Sequence, residues 1–186
     1  MTTRSPRRAT KATRLAAALA LIAIVALAPA CRIKKKARGG VIEDDAQLAS
    51  IVNVADPRAA VQLVRGFHGL ENDSWRWTMK SFTVALRPPA GSAQSGARLE
   101  LKFTVPAAIF DRLGPITVAA RIGALELAPE TYSQAGEATY ARDIPASALG
   151  GDAVSLDFSV NKAIPPSDTD ARELAIIVTT VGLTPK

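Results

Sequence analysis

The stretch LELKFTV, residues 99–105, alternates apolar and polar side chains at every position. Successive side chains of a β-strand point to opposite faces, so this alternation predicts a strand with one face in a core and the other in water. The same period of two recurs in ITVAARI, residues 116–122, and in VSLDFSV, residues 154–160. Three such strands in one chain indicate a sheet protein with solvated outer faces.

Turns rich in glycine and proline separate these three strands from weaker apolar runs. The weaker runs cover residues 61–64, 82–86, 125–127, 138–144 and 174–181. No segment of ten or more residues after Asp56 carries an apolar stripe at helical spacing. About eight short strands without helices predict an all-β fold, an antiparallel two-sheet β-sandwich resembling a jelly roll, over residues 56–186.

The N-terminal segment is of a different kind. A basic stretch ending at Arg14 precedes sixteen apolar residues, 15–30, which is shorter than the roughly 20 that a spanning helix needs. Ala28-Pro29-Ala30-Cys31 resembles a bacterial lipoprotein signal, in which small residues precede a cysteine that is acylated after cleavage. We expect a helical signal peptide over residues 1–30, lipidation of Cys31, and a membrane-anchored protein of the bacterial cell envelope, periplasmic or facing the outer membrane. Cleavage without a lipid and an uncleaved anchor are the alternatives.

Residues 31–55 read as a flexible tether, basic over residues 32–38 and acidic at Glu43-Asp44-Asp45. The basic run fits either a solvated linker or a patch beside anionic head groups. Ten of the 23 lysines and arginines precede residue 39, which leaves 13 bases against 17 acids, a net charge of −4, for the rest. The folded body therefore lacks the basic surface that binding of nucleic acid requires, and no nucleic-acid partner is expected.

The sequence offers few residues for catalysis. It has one histidine, His68, one cysteine, and none of the motifs of nucleophile elbows, phosphate loops or dinucleotide sites. Asp168, Asp170 and Glu173 could pair for glycoside cleavage or bind calcium, but a solvated turn with a structural ion pair is the favoured interpretation. We expect no enzyme activity, no cofactor and no metal.

The two tryptophans of the chain, Trp75 and Trp77, flank Arg76 in WRWT. Residues two apart on a strand share a face, so the tryptophans either anchor the core, which is favoured, or form an outer platform on which sugars stack. Arg76 faces the other way and could pair with Glu173 or Asp170 as a structural clasp.

These strings resemble a bacterial β-sandwich domain that is found appended to glycosyltransferases and methyltransferases of cell-surface polysaccharide pathways. The resemblance covers residues 56–183, with Ala175 standing where glycine is expected. The matching residues are Gly66, Phe67, Glu71, Trp75, Arg76, Trp77, Pro166, Asp170, Arg172, Glu173 and Leu174. It implies a non-catalytic sandwich associated with carbohydrate, and fold analogy does not fix the function.

Two functions follow as hypotheses. The first is a carbohydrate-binding lipoprotein that meets an envelope polysaccharide, with Trp75, Arg76, Trp77, Asp170, Arg172 and Glu173 as ligand or clasp residues. The second is a structural or assembly lipoprotein that binds another envelope protein, with buried tryptophans and an apolar patch elsewhere, for example over residues 107–113. In both, the lipid anchor makes the membrane a partner.

Overall fold

The computed structural model of the protein describes residues 48–186. Its strands are β1 (Ile51–Asn53), β2 (Leu63–Glu71), β3 (Trp75–Leu86), β4 (Ala97–Val105), β5 (Ile116–Ile122), β6 (Leu125–Tyr132), β7 (Gly136–Ile144), β8 (Val154–Val160) and β9 (Ile177–Pro185). Two α-helices, α1 (Ser92–Ser95) and α2 (Ala107–Leu113), and two 3₁₀ turns, Pro57–Gln62 and Ala146–Ala148, connect them. No helix within residues 48–186 has the length and apolar character needed to cross a membrane.

The strands form two layers in which every pairing is antiparallel. The front layer has the order β6-β5-β8-β3, with β2 beside β3, and the back layer has the order β7-β4-β9-β1. The layers combine two hairpins, β2–β3 and β5–β6, with pairings between strands that are far apart in the chain, as in a jelly roll. The predicted all-β antiparallel sandwich is confirmed for the described residues, with nine strands where about eight were expected.

Strand β3 joins the two layers because it changes partners along its length. Its first residues pair with β9 (Trp77 with Ile177), and the segment from Ser81 to Leu86 pairs with β8. The two layers therefore share one edge, at β3.

The core lies between the two layers and contains the inward residues that the alternation predicted. Phe82 and Phe158 of the front layer are 0% and 2% exposed and stack with their ring centroids 4.9 Å apart. Leu101 and Val178 of the back layer are fully buried in the same cluster. Burial of each such side chain stabilises the fold by about 1.5–3 kcal/mol, so the two layers are held together mainly by apolar contact.

The edge opposite β3, where β6 of the front layer meets β7 of the back layer, is closed by Arg142. Its guanidinium donates to the carbonyl oxygens of Ala128 (2.6 Å) and Pro129 (3.0 Å) and to Glu130 Oε2 (2.8 Å). Its Cζ atom lies 4.4 Å from the centre of the Tyr140 ring. Because an edge strand exposes unpaired carbonyl groups, Arg142 both satisfies this edge and ties the layers together.

The structure moves one boundary and removes one expected surface. Residues 51–53, predicted as tether, form β1 and pair with β9, so the folded body includes residues before Asp56. Helix α2 buries Ile109 (1% exposed) against the core and half-buries Phe110 and Leu113, so residues 107–113 do not form the exposed apolar patch considered for a protein interface. The predicted signal peptide, the lipidation at Cys31 and most of the predicted tether lie outside the described residues.

Candidate functional site

Arg76, the centre of the WRWT string, acts as a link between elements, but with other partners than predicted. Its Nε donates to the carbonyl oxygen of Val54 (3.0 Å), and its Nη1 donates to that of His68 (3.1 Å). The predicted pairing of Arg76 with Glu173 or Asp170 is therefore not observed. Arg76 instead ties β3 to the end of β1 and to β2.

The two tryptophans are half-buried, so they form neither a fully buried anchor nor an exposed flat platform. Trp77 packs against the core cluster and pairs with Ile177. Trp75 pairs with Glu71 at the tip of the β2–β3 hairpin, where Asn72 and Asp73 have φ angles of 47° and 51°. The indole N–H of Trp75 is buried and has no hydrogen-bond acceptor among residues 48–186.

Arg172 is the centre of the charged group that the sequence placed in the loop before β9. It donates to both carboxylate oxygens of Asp170, at 2.9 and 2.8 Å, and to Glu71 Oε1 at 2.6 Å. The side-chain hydrogen bonds from Arg172 to Asp170, and then the one from the Arg172 backbone N–H, lower the pKa of Asp170 to about 2. The structure thus brings Asp170, Arg172 and Glu71 together and fastens the loop to the hairpin.

Glu173 meets backbone atoms and not Arg76. One carboxylate oxygen accepts the backbone N–H of Lys80 at 2.6 Å, at the point where β3 leaves β9 and joins β8. Its carbonyl oxygen lies 2.7 Å from Nε2 of His68, the distance of a hydrogen bond donated by the ring. Glu173 therefore supplies an acceptor where the β3 ladder changes partner.

A second constellation, which sequence reasoning missed, runs across the outer face of the front layer. Five residues on five neighbouring strands are directly opposite one another, and we name them the charged row: Arg65, Thr83, Asp157, Arg121 and Glu126. Residues in direct register on one face of a sheet have adjacent side chains, so the row follows one line across the front face.

Asp157 is the centre of the charged row. Its Oδ1 accepts from the Thr83 hydroxyl at 2.6 Å and from Arg65 Nη2 at 3.0 Å, and its Oδ2 lies 3.1 Å from Arg121 Nη2. Arg65 also donates from Nε to the Thr83 hydroxyl at 2.7 Å. The Thr83 hydrogen bond, and then the two arginines, hold the pKa of Asp157 below its ordinary value, so this carboxylate is charged at neutral pH.

Small residues border the charged row on both sides of the front face. On one side Ser81, Ser159 and Ala119 are opposite one another, and on the other side Ala85 pairs with Ser155. The two arginine side chains, 58% and 51% exposed, therefore stand beside low, hydroxyl-bearing strips. The result is an open polar surface with its charged groups fixed by mutual contacts.

A groove with a mixed lining of polar and apolar residues lies elsewhere, at the junction of β1 with the 3₁₀ turn Pro57–Gln62. It has a volume of about 590 Å³ and is lined by residues that include Ile51 and Val61, which are 55% and 65% exposed. Gln62, 3% exposed, fixes the chain beside it through hydrogen bonds with the backbone of Ala49 and Ala85.

No family model and no curated protein matches the sequence. Among solved structures, a family GH115 4-O-methyl-α-glucuronidase with specificity for decorated arabinogalactans is similar over 75% of this chain and 18% of its own, at 10% identity and a TM-score of 0.42. A carbohydrate-binding module of mannan recognition, CBM27, is similar over 75% of this chain and 97% of its own, at 11% identity and a TM-score of 0.42. A CBM4 structure is similar over 73% of this chain and 85% of its own, at 12% identity and a TM-score of 0.34.

Proposed function

We propose that the protein is a non-catalytic, lipid-anchored polysaccharide-binding protein of the bacterial cell envelope, and that the ligand lies on the front face of the sandwich. The charged row is the observation that supports this proposal. Its polar groups are fixed in place before any ligand arrives, because Thr83 and Asp157 hold Arg65 and Arg121. Groups positioned in advance lose little conformational freedom on binding.

The shape of the front face suits a polymer. Small-molecule sites are concave and enclose most of their ligand, whereas this face is open. The charged row crosses five strands, which at about 4.8 Å between neighbours gives a span of roughly 19 Å. A polysaccharide lying beside the row can meet several of these groups with successive sugar units.

The contacts of the acidic residues near the hairpin tip favour a structural role for them over a catalytic one. Glycoside cleavage needs two carboxyl groups that face a substrate across a cleft. Both carboxylate oxygens of Asp170 accept hydrogen bonds from Arg172, and Glu173 accepts the Lys80 amide. The only histidine of the sequence, His68, is in contact with the Glu173 carbonyl.

The anchor in this proposal is the lipid on Cys31. From Cys31 to Leu48 the chain has 17 residue steps, which reach at most about 60 Å when fully extended. A module on such a tether samples polymers within that distance of the membrane. The basic run over residues 32–38 adds attraction to anionic head groups, as a second contribution beside the acyl chain.

The test measures, by affinity electrophoresis, how tightly the full-length chain binds purified envelope polysaccharides. Replacement of both Arg65 and Arg121 by alanine is expected to weaken binding at least tenfold, because two charge-assisted contacts are lost. Arg98→Ala is the matched control, since Arg98 is 49% exposed and lies on the back layer. Unaltered binding by the double variant, or no binding by the wild type, would refute the proposal.

Binding to another envelope protein is the second candidate, and the groove beside β1 is the observation that favours it. Ile51 and Val61 are among the few large apolar side chains that the described residues expose. If a partner protein binds this groove, the wild-type chain should form a crosslink to it in intact envelopes. Val61→Glu should abolish this crosslink, and Arg65→Ala should leave it unchanged. A crosslink that survives Val61→Glu would exclude this surface.

A further inference from the structure

We infer that the polysaccharide bound by the front face is an acidic one, whose carboxylate groups lie against Arg65 and Arg121. This inference rests on the proposed function and narrows its ligand class. It depends on the count of hydrogen-bond donors and acceptors within the charged row.

The acceptors in the centre of the charged row are already in use. Both oxygens of Asp157 are engaged, one by Thr83 and Arg65 and the other by Arg121. The donors are not: a guanidinium has five N–H groups, and Arg65 uses its Nε and one Nη2 position. Among residues 48–186, Asp157 is the only acid within ion-pair distance of the Arg121 side chain. The centre of the charged row therefore offers free donors and favours a ligand that brings acceptors.

The charged row has two arginines and two acids, so the ligand class follows from which of these groups are in contact and not from net charge. Two arginines share one carboxylate at the centre of the charged row. Glu126 is opposite Arg121 in the β5–β6 register, but no ion pair joins the two side chains within the described part of the chain. A sugar carboxylate would meet the arginines with the paired, planar geometry that a guanidinium favours. A neutral sugar would use the donors but gain no charge pairing.

The experiment compares two polymers that differ only in the acid group. The full-length chain is titrated with polygalacturonate and with the same polymer after its carboxyl groups are reduced to alcohols. We expect polygalacturonate to bind at least tenfold more tightly, and Arg121→Gln to remove most of that preference. Glu126→Gln removes a negative charge beside Arg121 and keeps the shape of the Glu126 side chain. This variant should bind polygalacturonate severalfold more tightly than the wild type. Higher salt should weaken the complexes with polygalacturonate and have little effect on those with the reduced, uncharged polymer.

The outcomes separate this inference from the proposed function. Equal affinity for the two polymers overturns the acidic ligand and leaves polysaccharide binding standing. No binding to either polymer or to envelope polysaccharides overturns both. The chain could instead bind phosphatidylglycerol vesicles more tightly than polygalacturonate and lose that binding in Arg121→Gln. This result would assign the surface to lipid phosphate and would also overturn the inference. Weaker binding of the Glu126→Gln variant than of the wild type would contradict the charge argument.

Discussion

Thr83 lies on the outer side of β3 by strand alternation and is nevertheless 5% exposed. Its hydroxyl donates to Asp157 and accepts from Arg65, so one small side chain fixes the positions of two charged ones. A buried hydroxyl with both roles is costly to remove, because the groups it served lose a partner. Threonine at this position therefore contributes to stability and to the arrangement of the charged row.

Thr83→Val keeps the shape of the side chain and removes the hydroxyl. We expect a loss of about 1–2 kcal/mol in the free energy of unfolding at neutral pH. The pKa of Asp157 should rise, since the Thr83 hydrogen bond is the largest cause of its depression. A depressed carboxyl pKa stabilises the fold above about pH 4, and this contribution is lost as the pH falls through the folded-state pKa.

The measurement for Thr83→Val is urea unfolding at pH 7 and at several values between about pH 4 and pH 2. The wild type should lose more stability than the variant over the acid range, so that the two curves converge. Thr117→Val is the control, because the Thr117 hydroxyl lies in an exposed pair with that of Thr131. A constant difference between wild type and Thr83→Val at all pH values would contradict the assigned role of Asp157.

The two glycines of GFHGLE should respond very differently to alanine. Gly66 has a φ of 77°, and an added Cβ would lie 2.7 Å from the Phe82 Cα and still closer to the Ser81 carbonyl oxygen. We expect Gly66→Ala to destabilise the fold by about 3 kcal/mol or more, through backbone strain and a clash within the β2–β3 pair. Gly69 has open space around it, so Gly69→Ala should be neutral or slightly stabilising. Thermal unfolding of both variants tests this, and equal losses would refute it.

At the scale of elements, the edge of strand β6 is satisfied by side chains. Its carbonyl groups at Ala128 and Pro129 point to Arg142 of β7 and not to another strand. The Tyr140 hydroxyl also donates to the Ala128 carbonyl, at 2.9 Å. Proline within β6 fits an edge position, because it removes a backbone donor that a neighbouring strand would need. The front and back layers thus meet here through side chains.

Arg142→Ala should lower the free energy of unfolding by about 2–4 kcal/mol, because several partly buried acceptors lose their donor together. Arg142→Lys should recover little of this, since an ammonium group cannot reach three separate acceptors with the spread of a guanidinium. Arg98→Ala, an exposed position, serves as the comparison and should change stability far less. Urea unfolding of the three variants is the measurement, and full rescue by lysine would contradict the geometry.

The strands and their buried faces could be predicted from the sequence because burial of one face imposes a period of two along each strand. β2 was harder to predict, since its register shifts three times against β3 and its alternation is broken. The charged row could not be predicted at all. Alternation says that Asp157 and Arg121 face outward, but Arg65 and Asp157 are 92 positions apart in the chain. Which strands are neighbours is decided by packing of the whole sandwich, and no local pattern carries that information.

At the scale of the whole molecule, the chain is fixed to the sandwich before the first predicted strand. Val52 and Val54 are 1% and 0% exposed, and β1 covers the edge of β9. Gly182 of β9 has no side chain where Ile51 lies, and an added Cβ would come within 2.9 Å of Ile51 Cγ1. The body of the protein therefore includes residues 48–55.

Shortened chains test where the body begins. A chain lacking residues 1–47 should unfold cooperatively in urea. A chain lacking residues 1–55 should be less stable by about 3–5 kcal/mol, because it loses two buried valines and the Ala49 backbone groups that bond to Gln62. Within the full-length chain, Val52→Ser should be clearly destabilising, while Ile51→Ser, at the 55% exposed neighbour, should cost much less. If both shortened chains unfold at the same urea concentration, β1 is an appendage of the sandwich, and the tether extends to Asp56 after all.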